Sequence, residues 1–176
     1  MLVVRSRRIV GFMPTVLVVH HSPTPATRAL ADCVLDATRS AATEASEFLT
    51  ADGGDGGAEC ITVCEVDALH PDVGQLREAG AVIFGTTANF GYISGALKHY
   101  FDSTFMDIGE QLQGIPMSWW IRGGYDTTGA SKAMTSITTG YGWSPVAPPV
   151  EFTGEIEPHL AELREMAQAV VGALVA

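Results

Sequence analysis

Basic side chains are scarce in this sequence, which has 10 Lys and Arg against 20 Asp and Glu and a formal net charge of −10 over 176 residues. A surface that binds nucleic acid or anionic lipid needs a concentration of positive charge. The composition therefore argues against nucleic acid, and against an anionic membrane surface, as partners of this chain.

Long apolar runs are absent from the sequence as well. No stretch approaches the roughly 20 consecutive apolar residues that a transmembrane helix needs. The basic cluster at residues 5–8 is followed by only a few apolar residues, which is not the pattern of a signal peptide. We therefore expect no membrane insertion and a cytoplasmic location.

Cysteine is rare, and the three cysteines are too few and too odd in number for a disulfide framework. Cys60 and Cys64 fall on one face of a predicted strand, without the Cys-x-x-Cys spacing or the neighbouring His pair of a tetrahedral metal site. His20 and His21 are adjacent and would point to opposite faces of a strand. We expect Cys33, Cys60 and Cys64 to be buried structural thiols, and we predict no metal site.

Apolar residues, by contrast, make up 47% of the chain. A chain of this length and composition can bury one hydrophobic core and is short for two. We expect an N-terminal extension over residues 1–12, with Met13 as a second candidate start, and one domain over residues 13–176.

Short apolar runs alternate with segments of helical periodicity along the predicted domain. The runs predict strands at 14–20, 60–66, 81–85, 115–121 and 146–152. The periodic segments predict helices from Pro25, at 71–79, at 94–105, near 129–140 and from Pro158, and the Gly/Asp-rich residues 51–58 predict a surface connection. This alternation predicts an α/β fold with a doubly wound parallel sheet and helices on both faces.

The most informative segment follows the third predicted strand. From Gly85 the chain becomes polar, and it then enters an amphipathic helix for which Ser94 is the predicted N-cap, with Lys98 and His99 on the solvent face. Open α/β sheets bind ligands at the carboxyl ends of their strands. The segment therefore predicts a binding site after this strand.

The block TTANFGYISGALKHYFD at 86–102 resembles a loop and helix of a known family. It is similar to the second flavin-contacting loop and the following helix of flavodoxin-like NAD(P)H-dependent FMN reductases and NAD(P)H:quinone oxidoreductases. The segment SITTGYGW at 136–143 resembles the actinobacterial branch of the flavodoxin family. With the strand, loop and helix near 15–37, the resemblance covers most of residues 13–176.

The resemblance implies a flavodoxin-like five-stranded sheet of order 2-1-3-4-5 with FMN as the cofactor. In this arrangement the switch point between strands one and three is the FMN site. The loops after strands one, three and four, which we call the first, second and third loops, would then converge on the flavin.

The first loop precedes the first helix and is the predicted phosphate site. Hydroxyls of Ser22, Thr24 and Thr27, with backbone amides such as that of Ala26 at the positive end of the helix, can hold a phosphate dianion without Lys or Arg. The loop departs from the family pattern because it has two prolines and no glycine. A capped helix with nothing bound is the alternative interpretation.

The second loop is predicted to surround the flavin ring. The resemblance assigns flavin contacts to Thr87, Ala88, Asn89, Phe90, Gly91 and Tyr92. Gly91 would permit close approach or a positive φ angle. Phe90 or Tyr92 would stack on the ring or border it, and the alternative for both side chains is packing.

The third loop, with Arg122, Gly123, Gly124 and Tyr125, resembles the glycine-rich turn of the family. Amides at the two glycines would face the flavin pyrimidine carbonyls and stabilise charge on the reduced ring. For Arg122 three roles stay open: charge stabilisation at the flavin, binding of a pyridine-nucleotide phosphate, or a surface salt bridge.

Trp119 and Trp120 are adjacent in the fourth predicted strand, so one is expected in each helix layer. Trp143 is expected nearer the site if the segment at 136–143 folds over it. The loops contain no recognisable Ser/His/Asp or Cys/His triad, so we assign no catalytic side chain and attribute the chemistry to the cofactor.

These inferences favour an FMN-dependent oxidoreductase that transfers hydride from NAD(P)H through flavin to a quinone or a similar small electron acceptor. One alternative is a flavodoxin-type electron carrier between protein partners, and another is a degenerate member of the family that binds FMN poorly or not at all. The resemblance also implies a homodimer or homotetramer.

Overall fold

The computed structural model describes residues 14–51 and 60–176. The predicted extension over residues 1–12 lies outside the described residues. So does the predicted connection at 51–58, except for Ala51, which ends the first helix.

Strands and helices alternate through most of the described chain. The strands are β1 (Thr15–His20), β2 (Thr62–Asp67), β3 (Ala79–Asn89), β4 (Tyr92–Ile93), β5 (Pro116–Gly123), β6 (Ser144–Pro145) and β7 (Val150–Thr153). The helices are α1 (Pro25–Ala51), α2 (Val73–Arg77), α3 (Gly95–Ile108), α4 (Thr128–Tyr141) and α5 (Leu160–Gly172), the last preceded by a 3₁₀ turn at Glu157–His159.

The sheet has the predicted flavodoxin-like order. Strands β2, β1, β3 and β5 are parallel neighbours in that sequence, and both β6 and β7 pair in parallel with β5 at the edge. The prediction of one continuous fifth strand at 146–152 is wrong. Strand β6 ends at Pro145, and β7 begins only at Val150. Pro148 and Pro149 lie between them, and proline has no amide hydrogen to donate to a strand ladder.

The third strand is longer than predicted. It runs to Asn89 rather than to Gly85, so Thr87, Ala88 and Asn89 belong to a strand and not to a loop. The end of β3 then pairs antiparallel with β4 through Ala88 opposite Ile93 and Asn89 opposite Tyr92. The sheet is therefore not wholly parallel.

Two helix layers cover the sheet, as predicted. Helices α1 and α5 pack on one face, and α2, α3 and α4 pack on the other. Trp119 belongs to the core under α3 and α4, and Trp120 belongs to the core under α1 and α5, which confirms their assignment to opposite layers. Apolar residues on both faces explain why the central strands read as continuous apolar runs.

Trp143 is a core residue, and its predicted place near the site is wrong. Its ring stacks on Tyr141 at 4.1 Å and on Phe84 at 5.2 Å between centroids. The next residue, Ser144, pairs with Pro116 at the first residue of β5, which is the end of the strand opposite the predicted site. Helix α4 ends at Tyr141 and is capped by Gly142, whose left-handed conformation turns the chain inward.

The predicted bounds of the second helix and the predicted burial of Cys60 are both wrong. Helix α2 covers Val73–Arg77 rather than 71–79, because the Asp72 carboxylate accepts the amides of Gly74 and Gln75 and Ala79 already pairs with β1. Cys60 is exposed and precedes β2, so it is not a buried thiol.

Cys33 and Cys64 are half-buried. Within the described ranges, no helix combines the length and the apolar character that crossing a membrane requires.

Candidate functional site

Three chain segments meet at the carboxyl edge of the sheet. Strand β1 ends at His20, opposite Gly85 of β3, and the His21 amide donates to the Gly85 carbonyl at 3.2 Å. At the far end of β3, Ala88 lies opposite Gly123, the last residue of β5. The structure therefore brings the first, second and third loops to one edge, at the point where the strand order reverses.

The first loop ends in a reciprocal cap of α1. The Thr27 amide donates to the Thr24 hydroxyl at 3.2 Å, the Thr24 amide donates to the Thr27 hydroxyl at 3.0 Å, and the two hydroxyl oxygens lie 2.9 Å apart. This is the geometry of a capping box, with Thr27 in the place usually held by Glu or Gln. Thr27 is buried and Thr24 is exposed, so only Thr24 presents its hydroxyl to the surface.

Fewer polar groups of the first loop face outward than predicted. Pro23 and Pro25 supply no amide hydrogen. In residues 14–51 and 60–176, neither the Ser22 amide nor the Ala26 amide has a hydrogen-bond partner. The backbone donors of the loop without a partner in these residues are therefore these two amides. The hydroxyl of the exposed Thr24 is shared with Thr27, and the Ser22 hydroxyl lies 2.9 Å from Nδ1 of His20.

His20 connects the first loop to β2. Its side chain is 95% buried, and its Nε2 lies 3.1 Å from Oε1 of Glu65. The same carboxylate oxygen accepts a hydrogen bond from Arg28 Nη1 at 2.7 Å. Ser22, His20 and Glu65 thus form a continuous chain of hydrogen bonds, which we call the His20 relay.

The relay shifts the pKa values of its members. Burial lowers the pKa of His20, although the adjacent Glu65 carboxylate opposes that shift. The hydrogen bond from Arg28 holds the pKa of Glu65 below its ordinary range, and His20 adds to that effect. A neutral imidazole that donates from Nε2 to Glu65 leaves Nδ1 as an acceptor for the Ser22 hydroxyl.

The His20 relay is not among the features that the sequence predicts. Glu65 is the one charged residue in the predicted strand at 60–66, and that exception to an apolar run was the available signal. Its meaning depends on the parallel register that places β2 beside β1, with Val18 opposite Glu65 and His20 opposite Asp67. A single sequence does not contain that register.

The second loop is a tight hairpin turn between β3 and β4. Phe90 and Gly91 occupy its two central positions, with φ angles of 53° and 72°. Positive φ at both positions is typical of the type I′ turns that suit two-residue hairpins. Phe90 is the only non-glycine residue with positive φ among the described residues, and its side chain is fully exposed.

The need for glycine at position 91 is explained by the positive φ angle there and not by close packing. A Cβ atom on Gly91 would meet no heavy atom within 4 Å, so the conformation of the turn is what disfavours other residues there. Tyr92 is about half exposed, and Asn89 is exposed beside it. Ala88 is buried in the core and presents only its backbone to the site.

Helix α3 begins as predicted. The Ser94 hydroxyl accepts the Leu97 amide at 3.2 Å, which confirms Ser94 as the N-cap. The Ser94 amide in turn donates to the Thr86 hydroxyl at 3.0 Å. These bonds fix the end of β3 to the start of α3.

The third loop is a compact turn with an aromatic residue at its tip. A Cβ atom on Gly123 would lie 2.9 Å from the Asp126 carbonyl oxygen, whereas one on Gly124 would meet no heavy atom within 4 Å. The Asp126 carboxylate accepts the Thr128 amide and hydroxyl, which holds the turn against α4 and lowers the pKa of Asp126. Tyr125 is fully exposed between these residues.

Arg122 reaches across to the edge strand. Its Nε and Nη2 donate to the Gly154 carbonyl at 3.2 and 3.0 Å. In the described part of the chain no carboxylate forms an ion pair with this guanidinium, so the surface salt bridge considered for Arg122 is not formed. The half-buried guanidinium therefore lies beside the end of β5 without a carboxylate partner among the described residues.

Two buried polar atoms at this edge have no hydrogen-bond partner among the described residues. They are Nδ1 of His21 and the Thr87 hydroxyl oxygen. Buried polar atoms are usually hydrogen-bonded, and the exceptions often face a ligand or an ordered water. Within the same ranges, no group of three His, Cys, Asp or Glu side chains is arranged to hold a metal ion.

The fold is similar to that of several solved structures. An archaeal flavodoxin matches with a TM-score of 0.72 and 14% identity over 92% of this chain and 99% of its own. An oxidoreductase from Corynebacterium diphtheriae matches with a TM-score of 0.66 and 16% identity over 93% and 97% of the two chains.

A flavodoxin, WrbA-like protein from Agrobacterium tumefaciens matches with a TM-score of 0.65 and 15% identity over 92% and 97%. No protein-family model and no curated protein sequence matches the chain. The agreement with solved flavodoxins over nearly the whole of both chains, together with the sheet order, establishes that this chain has the flavodoxin-like fold.

Proposed function

We propose that the chain binds FMN at the carboxyl edge of its sheet and is an FMN-dependent oxidoreductase. In this proposal it takes hydride from NAD(P)H and passes electrons to a quinone or a similar small acceptor. The observation that carries the proposal is the pair of fully exposed aromatic rings, Phe90 and Tyr125, on the second and third loops. An exposed aromatic ring contributes little to the stability of the fold, but it is available to stack on a flat heteroaromatic ligand.

The backbone at Phe90 supports a binding role for its ring. A left-handed conformation costs an L-residue about 1–2 kcal/mol, and glycine or asparagine would avoid most of that cost. Phe90 has φ of 53° and an exposed side chain, so no packing within the described chain offsets the strain. Backbone strain that no packing interaction offsets is a feature of functional sites.

The polar groups at the edge fit the rest of FMN. The Ser22 and Ala26 amides and the Thr24 hydroxyl, at the N-terminal end of α1, would hold the phosphate. The Thr87 hydroxyl and the Gly124 amide would bind polar atoms of the flavin, and the Thr87 oxygen is buried without another partner among the described residues. FMN, when bound, supplies the hydride and electron chemistry that no side chain here provides.

Arg122 would influence the electronics of the cofactor. Its guanidinium is half-buried at the end of β5 and is held by the Gly154 carbonyl. A fixed positive charge favours the development of negative charge on a nearby ring. Arg122 would therefore stabilise the reduced form of the cofactor and promote its reduction.

The sparse charge near the second and third loops supports an enzyme over a protein-to-protein carrier. The segment 86–92, which comprises the end of β3 and the hairpin turn, contains no charged side chain, and the segment 122–129 contains one cation and one anion. The anion, Asp126, is already bound to Thr128. Docking of a protein partner uses complementary charged surfaces, whereas a small acceptor needs an open and weakly charged approach.

Rapid mixing with each nicotinamide tests the activity. The protein loaded with FMN is mixed without oxygen with NADH or NADPH, and the flavin absorbance is recorded, with free FMN as the control. We expect bleaching at the rate of an enzyme turnover, about 1–1000 per second, followed by recovery on addition of benzoquinone. Bound FMN that neither nucleotide reduces would contradict the reductase assignment and favour the carrier.

A further inference from the structure

The His20 relay joins a titratable side chain to Ser22, a residue of the predicted phosphate site. Ser22 Oγ lies 2.9 Å from Nδ1 of His20, and Nε2 of His20 lies 3.1 Å from Oε1 of Glu65. We propose that His20 is a positioning residue whose protonation sets the direction of the Ser22 hydrogen bond and thereby couples phosphate monoester binding at the first loop to proton uptake. This inference rests on the FMN site proposed above.

The coupling depends on the single hydrogen of the Ser22 hydroxyl. When His20 is neutral with its proton on Nε2, Nδ1 is an acceptor and the Ser22 hydroxyl must donate to it. The outward side of Oγ then carries only lone pairs, which repel a phosphate oxygen. When Nδ1 gains a proton from solvent, it donates to Oγ, and the Ser22 hydrogen becomes available to a phosphate oxygen.

The groups packed around His20 determine when this change occurs. Strand β2 contributes Glu65, hydrogen-bonded to Nε2, and Asp67, whose charge also favours the protonated ring. Helix α1 contributes Arg28, which opposes protonation and shares the Glu65 carboxylate. The neighbouring strands add no charge, since β3 presents Gly85 and β5 presents the Trp120 ring at 6.1 Å.

Burial keeps His20 neutral near neutral pH in the free protein. It lowers the pKa of His20 from its ordinary value of 6.5, while Glu65 opposes this effect. A phosphate dianion beside Ser22 acts in the opposite direction, because negative charge favours the imidazolium form. Binding of the phosphate should therefore raise the pKa of His20 and draw a proton from solvent.

Titrations with two flavins test the coupling. FMN and riboflavin, which lacks the phosphate, are titrated into the wild-type protein and Ser22→Ala from about pH 5.5 to about pH 8.5, a range that brackets the titration of histidine. The phosphate of FMN also titrates near pH 6, so the informative quantity is the ratio of wild-type to variant affinity. We expect wild-type FMN affinity to exceed that of the variant by about ten-fold or more at the acid end, the loss typical of a hydrogen bond to a charged group, with the ratio shrinking toward the alkaline end. Riboflavin affinity should not distinguish the two proteins.

Two substitutions within the relay sharpen the test. Glu65→Gln removes the carboxylate that favours imidazolium, so the midpoint of the affinity ratio should move to lower pH. His20→Gln should remove the pH-dependent part of the ratio. His99→Gln is the matched control, because His99 is exposed on α3, away from the relay.

Calorimetry of the wild-type protein gives an independent readout that needs no variant to fold. FMN binding is measured at one pH in two buffers with different ionisation enthalpies. The coupling predicts proton uptake on FMN binding, beyond what the phosphate itself exchanges and absent with riboflavin.

Three results would overturn the inference, and they separate it from the proposed function. A Ser22→Ala loss that is equal at every pH would mean that Ser22 donates whatever the state of His20. Equal affinities for FMN and riboflavin would place the phosphate away from Ser22. Both results leave a flavin site in place, whereas a folded wild-type protein that binds neither flavin would reject the proposed function together with the inference.

Discussion

The carbonyl oxygen of Gly91 occupies the space that a side chain on Gly129 would need. It lies 2.2 Å from the ideal Cβ position of residue 129, far inside any contact that a real Cβ atom makes. The hairpin turn of the second loop thus rests directly on the first turn of α4, which follows the third loop. The two loops that carry Phe90 and Tyr125 are therefore held as one unit.

Gly129→Ala should break this contact. The added methyl group must displace the backbone of the hairpin, so we expect a loss of about 1–3 kcal/mol in the free energy of unfolding, as for other overpacked sites. Gly140→Ala is the matched control in the same helix, because a Cβ atom there meets nothing within 4 Å. That variant should gain up to about 1 kcal/mol from helix propensity.

Urea unfolding of both variants measures the difference. If Gly129→Ala were as stable as Gly140→Ala, the close packing of the turn on α4 would be refuted.

Phe90→Asn should separate folding from binding. Asparagine tolerates positive φ better than phenylalanine, and the exposed ring contributes no packing within the described residues, so the free energy of unfolding should stay the same or rise by up to about 1 kcal/mol. Loss of the ring should weaken FMN binding by about 0.5–1.5 kcal/mol, the contribution of an aromatic pair. Met106→Gln, at an exposed apolar residue on α3, is the control.

Thermal unfolding and FMN titration are run on the same samples of these variants. A Phe90→Asn protein that loses stability and keeps its FMN affinity would assign the ring to the fold.

The reciprocal cap of α1 gives Thr24 a role in folding as well as a place in the predicted phosphate site. Thr24→Val removes the hydroxyl that accepts the Thr27 amide, and we expect a loss of about 0.5–2 kcal/mol in the free energy of unfolding. Thr127→Val is the matched control, since Thr127 precedes α4 without a side-chain cap bond.

Denaturant unfolding compares the two threonine variants at one pH. Equal losses would show that the hydroxyl pair does not stabilise α1.

His20 should make the fold sensitive to mild acid. Its pKa is lowered by burial, so the unfolded chain binds more protons than the folded chain, and the free energy of unfolding should fall as the pH drops through about 6.5. Glu65 acts in a separate range, because its pKa is lowered mainly by Arg28 and its contribution is lost only below its ordinary value of 4.5. His20→Gln should remove the fall in the free energy of unfolding in the first pH range and leave the fall in the second range unchanged.

Unfolding free energies at a series of pH values, with His99→Gln as the control, measure this effect. A wild-type curve that is flat between about pH 7.5 and about pH 5.5 would contradict the assignment of a buried, neutral His20.

The arrangement of strands and helices was largely predictable from the sequence, whereas the details of the site were not. The apolar runs in β1, β3 and β5 follow from burial on both faces of a sheet, which a sequence shows directly. The polar residues Thr86, Thr87 and Asn89 predict a loop, but the backbone of β3 continues the parallel ladder with β5 through Thr86 opposite Ile121 and Ala88 opposite Gly123. Polar composition at the end of a strand does not determine where pairing stops.

Tertiary contacts account for the remaining differences. Trp143 belongs to the family-like segment at 136–143, and its predicted place near the site depends on that segment folding over the site, whereas its actual position follows from stacking on Phe84 and Tyr141. The His20 relay depends on strand register, and the fit of Gly91 against Gly129 depends on helix placement. The contacts of Trp143 with Phe84, of His20 with Glu65 and of Gly91 with Gly129 join residues distant in sequence, so local patterns do not report them.

Retention of FMN by the purified protein is the decisive measurement for an FMN site at the carboxyl edge of this sheet. The protein is incubated with excess FMN, desalted, and examined by visible absorption, beside a double variant, Phe90→Asn with Tyr125→Ser, whose fold is checked by circular dichroism. We predict about one FMN retained per wild-type chain, the stoichiometry of a single pocket, and less by the variant. A folded wild-type protein that retains no FMN, or a double variant that retains as much as the wild type, would contradict the account.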